Sequence, residues 1–200
     1  MRGFVTGRWG RASLLGGAFA LGCLVVAGRP AVAKQERFLD SDEAKEADYK
    51  RGCAITDYGD MVEADGIDWA WIDPSVKIGG PGGIEIVAVK NVSDVTDASL
   101  ASNVEQDFKQ ALTRIGKSPG SSGLKFSSCI FWVDRANAAK AWVPFAGAHL
   151  MQAGVGIEAT ISDANGKTVA KLRHNGRSGQ SPSDAAAAIV DDLVNFIAKH

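Results

Sequence analysis

The chain has 200 residues, of which 22 are basic and 23 acidic, and 46% are hydrophobic. This length and hydrophobic content suffice for one domain with its own core. Residues 1–33 hold four of the 22 basic residues and no acid, so the rest of the chain carries 18 basic against 23 acidic residues. This balance argues against nucleic acid as a partner, because nucleic-acid binding depends on basic patches.

The first 33 residues have the layout of a secretory signal peptide. Three arginines precede an apolar run over residues 12–27, and Ala31-Val32-Ala33 supplies the small-x-small pattern of a cleavage site before Lys34. The apolar run is about 16 residues long, short of the roughly 20 that a membrane-spanning helix needs. The sequence therefore predicts export to the periplasm or the exterior, with cleavage before Lys34.

A second processing route stays open at Cys23. Residues 20–23, ALGC, are similar to a bacterial lipobox, in which the cysteine is acylated and becomes the mature N-terminus. Ala20 replaces the usual leucine, and the apolar run continues past the cysteine. The alternative location is therefore the outer membrane, with a lipid at Cys23 as the only membrane contact.

Residues 34–52 are dense in charge and poor in apolar residues, which is typical of a tether. A single domain is expected over residues 53–200. It retains two cysteines, Cys53 and Cys129, and an even pair in an oxidising compartment suggests one disulfide. The alternative is two buried thiols. No C-x-x-C or nearby histidine accompanies them, so we expect no metal site.

Two short segments resemble a known family. Residues 54–61, AITDYGDM, resemble the G-F-L-x-D-Y-S-x-L opening of an uncharacterised family of bacterial envelope lipoproteins, a domain of unknown function. Residues 69–76, WAWIDPSV, look like the segment before that family's first core strand. The resemblance extends over roughly residues 53–199 and implies an envelope protein. The family has no established activity, so it implies no catalytic residue.

A strand, a helix and a second strand are predicted between residues 84 and 134. Residues 84–89, IEIVAV, are almost all apolar, as in a central strand covered on both faces. An apolar stripe predicts an amphipathic helix over residues 98–115, capped by Thr96 or Asp97. Residues 126–134 form a second strand, with Phe131 and Val133 on one face and Trp132 on the other.

The clearest local signal is a hairpin over residues 154–174, with a turn at Asn165-Gly166. A two-residue turn places Ile161 opposite Ala170 and Ala159 opposite Leu172, which makes one face apolar and is preferred. The other face then pairs Glu158 with Arg173, and we expect both charges to face solvent. The alternative is a three-residue loop over residues 164–166 with a glycine bulge, which would place Ile161 opposite Val169 but Ala159 opposite Lys171. The glycines at positions 154 and 156 indicate a bulge or a close backbone approach.

A final helix is predicted over residues 184–198, capped by Ser183. The order strand, helix, strand, hairpin, helix predicts an α/β (α+β) fold: one twisted mixed sheet of about four to five strands with two helices packed on it. Fold-level similarity to the N-terminal domain of TolB and to the periplasmic part of the curli secretion pore protein implies no function.

Recognised catalytic and nucleotide-binding motifs are absent from the sequence. The glycines of residues 79–83 precede a strand, whereas a phosphate-binding loop opens a helix. We therefore expect no cofactor. Of three histidines, His174 is predicted to be a solvated strand-end residue and His149 is the better candidate for a catalytic base.

The sequence favours a non-enzymatic envelope module that binds another protein or assists assembly. The alternative is a binder of a glycan or small ligand, with Trp69, Trp71 and Trp142 as stacking surfaces and His149 beside them. A hydrolase with a site around His149 is the third hypothesis.

Overall fold

The computed structural model describes residues 53–80, 82–117, 123–136 and 152–200. The predicted signal peptide with Cys23, the predicted tether, and the candidate ligand residues Trp142 and His149 lie outside these ranges. Within the described residues, no helix combines the length and the apolar character needed to cross a membrane.

The fold is one open, mixed sheet with two helices packed on it, as predicted. The sheet has six strands in the spatial order β1-β2-β6-β5-β4-β3, and only β3 and β4 run parallel. The strands are β1 Val62–Ala64, β2 Ile67–Ile72, β3 Ile84–Asn91, β4 Leu124–Asp134, β5 Ala153–Ser162 and β6 Thr168–Ser178. The sheet is wider than the predicted four to five strands because residues 62–72 form a hairpin along β6.

The prediction that β3 is a central strand was wrong. β3 is the last strand of the sheet, and its outer edge pairs with no other described strand. Glu85, Val87 and Lys90 are exposed along it, and Val87 is 55% exposed. The apolar run predicted a strand correctly, but a run of six residues does not specify how many neighbours a strand has.

The two helices begin at side-chain caps. Helix α1 spans Ala98–Arg114, and its N-cap Asp97 accepts from the backbone N–H of Ser99. Helix α2 spans Pro182–Lys199, two residues earlier than predicted, because Ser181 and not Ser183 is the N-cap. Ser181 and Asp184 form a reciprocal capping box, and Pro182 fits the first helical turn, where no N–H partner is needed.

One side of the sheet, called the helix side below, carries the main core. Its apolar residues come from every second position of β5, from β4 and β6, and from the inner faces of both helices. The largest fully buried side chains of this core include Phe108, Phe126, Ile157 and Leu172. This burial follows from the amphipathic stripe of each helix and the alternation along the hairpin.

A buried lysine fastens the loop before β3 to the end of α1. Lys117 is 4% exposed, and its Nζ donates to the carbonyl oxygens of Ile78, at 2.8 Å, and Gly80. Burial lowers the pKa of Lys117. Lys117 therefore joins the residues that follow α1 to the loop that precedes β3.

The β5–β6 hairpin has the predicted register: Ile161 pairs with Ala170, and Glu158 pairs with Arg173. The turn differs from the two-residue turn that was predicted. The N–H of Asp163 donates to the carbonyl of Lys167, and Gly166 adopts φ +82°, so the loop has three residues and ends in the left-handed region. A register shift beside Ile161 then compensates for the extra loop residue.

A bulge in β4 changes the predicted faces of that strand. The register of β4 against β5 shifts between Ile130 and Trp132. Phe131 and Trp132 consequently both lie over glycines of β5, where a Cβ at Gly156 or Gly154 would overlap their rings. The prediction that Trp132 faces away from Phe131 was wrong, and the groups that lie close to the two glycines are aromatic side chains instead of the predicted backbone.

Candidate functional site

Four neighbouring strands place one residue each in a row across the other side of the sheet, called the cover side. Trp69 of β2 pairs with Arg173 of β6, Arg173 pairs with Glu158 of β5, and Glu158 pairs with Cys129 of β4. Residues in register on adjacent antiparallel strands point to the same face. The row therefore places an indole, a guanidinium, a carboxylate and a sulfur side by side.

Glu158 and Arg173 form a buried ion pair. Glu158 is 0% exposed, Arg173 is 3% exposed, and an Arg173 Nη1 donates to Glu158 Oε1. The prediction that both charges face solvent was therefore wrong. The cross-strand pairing was correct, but residues 53–61, called the cover segment below, lie over it.

The cover segment supplies further partners for the carboxylate. The hydroxyl of Tyr58 donates to Glu158 Oε1 at 2.5 Å, and the backbone N–H of Ile55 donates to Oε2 at 3.4 Å. A buried carboxylate is stable only when its oxygens are paired and hydrogen-bonded. Both oxygens of Glu158 meet this condition, one through Arg173 and Tyr58 and the other through Ile55.

Aromatic rings enclose the guanidinium. Arg173 Cζ lies 3.9 Å from the centroid of the Phe131 ring and 5.5 Å from that of Tyr58. Both distances are within the range of a cation–π interaction, which strengthens when the cation is removed from water. Gly156 is necessary for this arrangement, because the Phe131 ring lies directly on its backbone.

Besides its hydrogen bonds to Glu158, the cover segment is attached to the sheet at three further points. A disulfide joins Cys53 to Cys129, with 5.9 Å between their Cα atoms, as the even cysteine pair suggested. Ile55 and Met61 pack with Trp69 in a small core separate from that of the helix side. At the far end, Lys171 Nζ donates to the carbonyl of Asp57 and to the carboxylate of Asp60, each at 2.9 Å.

A groove of about 240 Å³ opens beside the disulfide, between the start of the cover segment and β3. Both cysteines line it, and Lys90 provides the cationic side chain in its wall. The remaining lining residues are small or apolar: Ala54, Ala88, Val92, Ser127 and Ser128. Of the two bridged cysteines, Cys53 is partly exposed at the groove, whereas Cys129 is buried, as is Glu158.

His174 connects three elements near the end of β2. Its Nδ1 lies 3.3 Å from Asp68 of β2, and its Nε2 lies 3.3 Å from Asp192 of α2. Burial alone would lower the pKa of His174, but the hydrogen bonds and charges of Asp68 and Asp192 outweigh burial and raise it. The prediction of a solvated strand-end histidine was wrong, since its side chain is only 15% exposed.

The predicted aromatic platform is incomplete in the described residues. Trp69 is 8% exposed because Ile55 and Met61 cover it, so it offers no stacking face. Trp71 is half-buried, and Lys171 Nζ lies 5.3 Å from its ring centroid. Trp142 and His149 lie outside the described residues, and their role in ligand binding stays a prediction.

Glu158, Arg173 and Tyr58 were not predicted as parts of a site. Tyr58 lies in the segment that resembles the envelope lipoprotein opening, and this resemblance was the one available signal. Each of the three polar groups looks ordinary in its own segment. They meet only because residues about a hundred positions apart pack together, at separations of 100 between Tyr58 and Glu158 and 115 between Tyr58 and Arg173.

No protein-family model matches the sequence, and no curated protein matches it. Solved structures with a similar chain course include the PelC dodecamer from Paraburkholderia phytofirmans, at 10% identity and a TM-score of 0.44, covering 64% of this chain and 94% of that one. A PDZ domain protein from Parabacteroides distasonis matches at 13% identity and a TM-score of 0.33, covering 55% of this chain and 32% of that one.

A minor lipoprotein from Acinetobacter baumannii matches at 13% identity and a TM-score of 0.29, covering 56% of this chain and 89% of that one. The identities and scores are too low for any activity or partner to be transferred from them.

Proposed function

We propose that the protein is an exported, non-enzymatic envelope module that binds an extended segment of another envelope protein along the outer edge of β3. The observation that carries the proposal is the position of β3. This strand ends the described sheet, bears the exposed Val87, and adjoins the groove beside the disulfide. A strand edge that no described strand pairs with, beside a groove, is the arrangement that β-strand addition uses.

The cover side supports a binding role over a catalytic one. The carboxylate of Glu158 and the guanidinium of Arg173 are both buried and engaged with each other. General acids, bases and nucleophiles must reach a substrate, so this pair suits a structural role better. Among the described residues that line the groove, Lys90 and Ser127 have polar side chains that are not buried, and the two cysteines are joined in the disulfide.

The disulfide supports export. Disulfides form and persist in oxidising compartments and are rare in the bacterial cytosol. This bond joins the first described residue, Cys53, to a central strand, so oxidation fixes the start of the domain on the sheet. Together with the signal-peptide pattern of residues 1–33, it supports a periplasmic or secreted location, with lipidation at Cys23 as the alternative.

Site-specific photo-crosslinking in living cells tests the binding surface. A photoreactive residue replaces Val87 in one variant and Val62 in another. Position 62 is the matched control for position 87. Val87 is 55% exposed on β3 and Val62 is 50% exposed on β1, and these are the two edge strands of the described sheet. We expect one recurrent envelope protein to be crosslinked from position 87 and not from position 62.

Equal crosslinking from both edges would indicate non-specific contact and would contradict the proposal, as would the absence of any product at position 87. Intact mass of the exported protein tests location separately. It distinguishes a chain that begins at Lys34 from one acylated at Cys23, and a mass that fits neither contradicts both processing routes.

A further inference from the structure

We infer that in the dithiol form of the protein Cys53, Cys129 and Glu158 form a binding site for a thiophilic divalent cation such as Zn²⁺. The ligand atoms of these three residues all lie within 4.8 Å of one another. They come from the cover segment, β4 and β5, so the site exists only in the folded chain. This inference does not depend on the proposed partner binding.

The donor set fits the chemistry of zinc. Two thiolates and a carboxylate are ligands that Zn²⁺ accepts in a tetrahedral site, with the fourth position open to water. Two sulfurs each about 2.3 Å from a zinc ion lie about 3.8 Å apart in tetrahedral geometry. The two cysteines, with Cα atoms 5.9 Å apart, reach this separation by rotating their side chains.

The charges balance with the ion bound. Two thiolates and the Glu158 carboxylate carry three negative charges, and Arg173 contributes one positive charge beside the carboxylate. A divalent cation makes the buried group neutral. The disulfide form is neutral as well, because it leaves Glu158 and Arg173 alone. Neutrality matters because an uncompensated charge is costly in a buried environment.

The groove provides the route for the ion. Both cysteines line the 240 Å³ groove, Cys53 as a partly exposed residue and Cys129 as a buried one, and Glu158 is fully buried. A dithiol reductant breaks the sulfur–sulfur bond by supplying two electrons and two protons, and is itself oxidised to a disulfide. The cation then displaces the two thiol protons as it binds. In the dithiol form, the bound metal would thus connect the cover segment to β4 in place of the disulfide.

Cobalt and zinc binding test the inference in the full chain carrying Cys23→Ser, which removes the third cysteine. The protein is reduced with a dithiol, freed of reductant without oxygen, and titrated with Co²⁺. We expect one equivalent to bind with a thiolate-to-cobalt charge-transfer absorption that Zn²⁺ abolishes. The oxidised protein is the matched control, and its affinity is expected to be at least 100-fold weaker.

Substitutions identify the ligands. Cys129→Ser should either abolish the charge-transfer band or leave half of its intensity, and in the second case cobalt should bind at least 100-fold more weakly. Glu158→Gln should weaken cobalt binding at least 10-fold. Ser127→Ala, in the same groove, should bind within about twofold of the parent chain. Equal cobalt binding by reduced and oxidised protein, or unchanged binding by a folded Glu158→Gln variant, overturns the inference.

If Glu158→Gln fails to fold, X-ray absorption of the zinc complex of the parent chain identifies the ligand atoms without that variant. We expect two sulfur neighbours near 2.3 Å and oxygen or nitrogen neighbours near 2.0 Å. A first shell of four sulfurs would indicate a complex between chains, and a shell without sulfur would indicate surface binding. Either result overturns the three-residue site.

Discussion

Glu158 and Arg173 face each other across β5 and β6 as a charge pair that is almost entirely excluded from water. The geometry of the cover side depends on this pair. Tyr58 and Ile55 of the cover segment bind the same carboxylate, and Phe131 stacks on the same guanidinium. A polar pair therefore forms the contact through which a loop is fixed to the sheet.

Removal of one partner of this pair should be strongly destabilising. Glu158→Gln leaves the guanidinium of Arg173 buried without its counter-charge, and such changes cost about 3–5 kcal/mol. Denaturant unfolding of the oxidised protein measures the loss. The matched control is Glu105→Ala, which removes an exposed i,i+4 pair with Lys109 and should cost about 0.3–0.5 kcal/mol. Similar losses in both variants would contradict a buried, uncompensated charge.

The Tyr58 hydroxyl should stabilise the buried pair, because it donates to Glu158 Oε1 and accepts from Arg173 Nη1 at 3.4 Å. Tyr58→Phe removes the donor that lies 2.5 Å from Glu158 Oε1 but keeps the ring beside Arg173. A hydrogen bond to a charged group contributes about 1.5–3 kcal/mol, so we expect a decrease of that order in the free energy of unfolding. In a Glu158→Gln background the same substitution should cost less, and an equal cost in both backgrounds would show that the two groups are not coupled.

The disulfide should stabilise the oxidised protein. It joins residues separated by 76 positions, and the chain-entropy estimate for such a loop is about 4.5 kcal/mol at 25 °C, an upper value for real proteins. We expect reduction in the presence of a metal chelator to lower the denaturant midpoint. The Cys53→Ser/Cys129→Ser variant serves as the control, since its midpoint should not respond to reductant. An unchanged midpoint on reduction of the parent chain would contradict this role.

His174 should make stability depend on pH. Asp68 and Asp192 raise its folded-state pKa above the ordinary value of 6.5, so the folded state binds the proton more tightly than the unfolded state. This contribution is fully present below pH 6.5 and is lost as the pH rises through the raised pKa. We expect the free energy of unfolding to fall over that interval.

The His174→Asn variant should lack this fall, and Asp192→Asn should reduce it, because one of the two carboxylates that hold the protonated ring is then neutral. Unfolding by denaturant at a series of pH values measures the effect. If stability rises with pH over the same interval in the parent chain but not in His174→Asn, the assigned direction of the pKa shift is wrong.

Local patterns predicted much of the fold. Alternation of polarity along residues 154–174 predicted the pairing of Ile161 with Ala170, and the structure has that register despite a different turn. The stripe of apolar residues predicted helix α1 to within one residue of its C-terminal end. Such features depend on contacts between near neighbours in the chain, which a sequence pattern contains directly.

The wrong predictions concern features that depend on contacts between distant segments or on irregularities in a strand, which a local sequence pattern does not contain. Glu158 and Arg173 were placed in solvent because charged residues are seldom buried, and nothing near them in the sequence indicates the cover segment. Trp132 was placed on the wrong face because a bulge in β4 interrupts the alternation on which the prediction relied. β3 was predicted to be central because apolar content does not reveal the position of a strand in a sheet.

The sequence by itself determined the two helices, the hairpin register, the pairing of Glu158 with Arg173 and the even number of cysteines after residue 33. Only the tertiary structure decided that residues 53–61 cover the pair, and that Cys53 and Cys129 lie beside Glu158. The physical reason is separation along the chain. Backbone periodicity fixes which residues share a face, whereas the burial of that face depends on contacts between segments up to about a hundred residues apart.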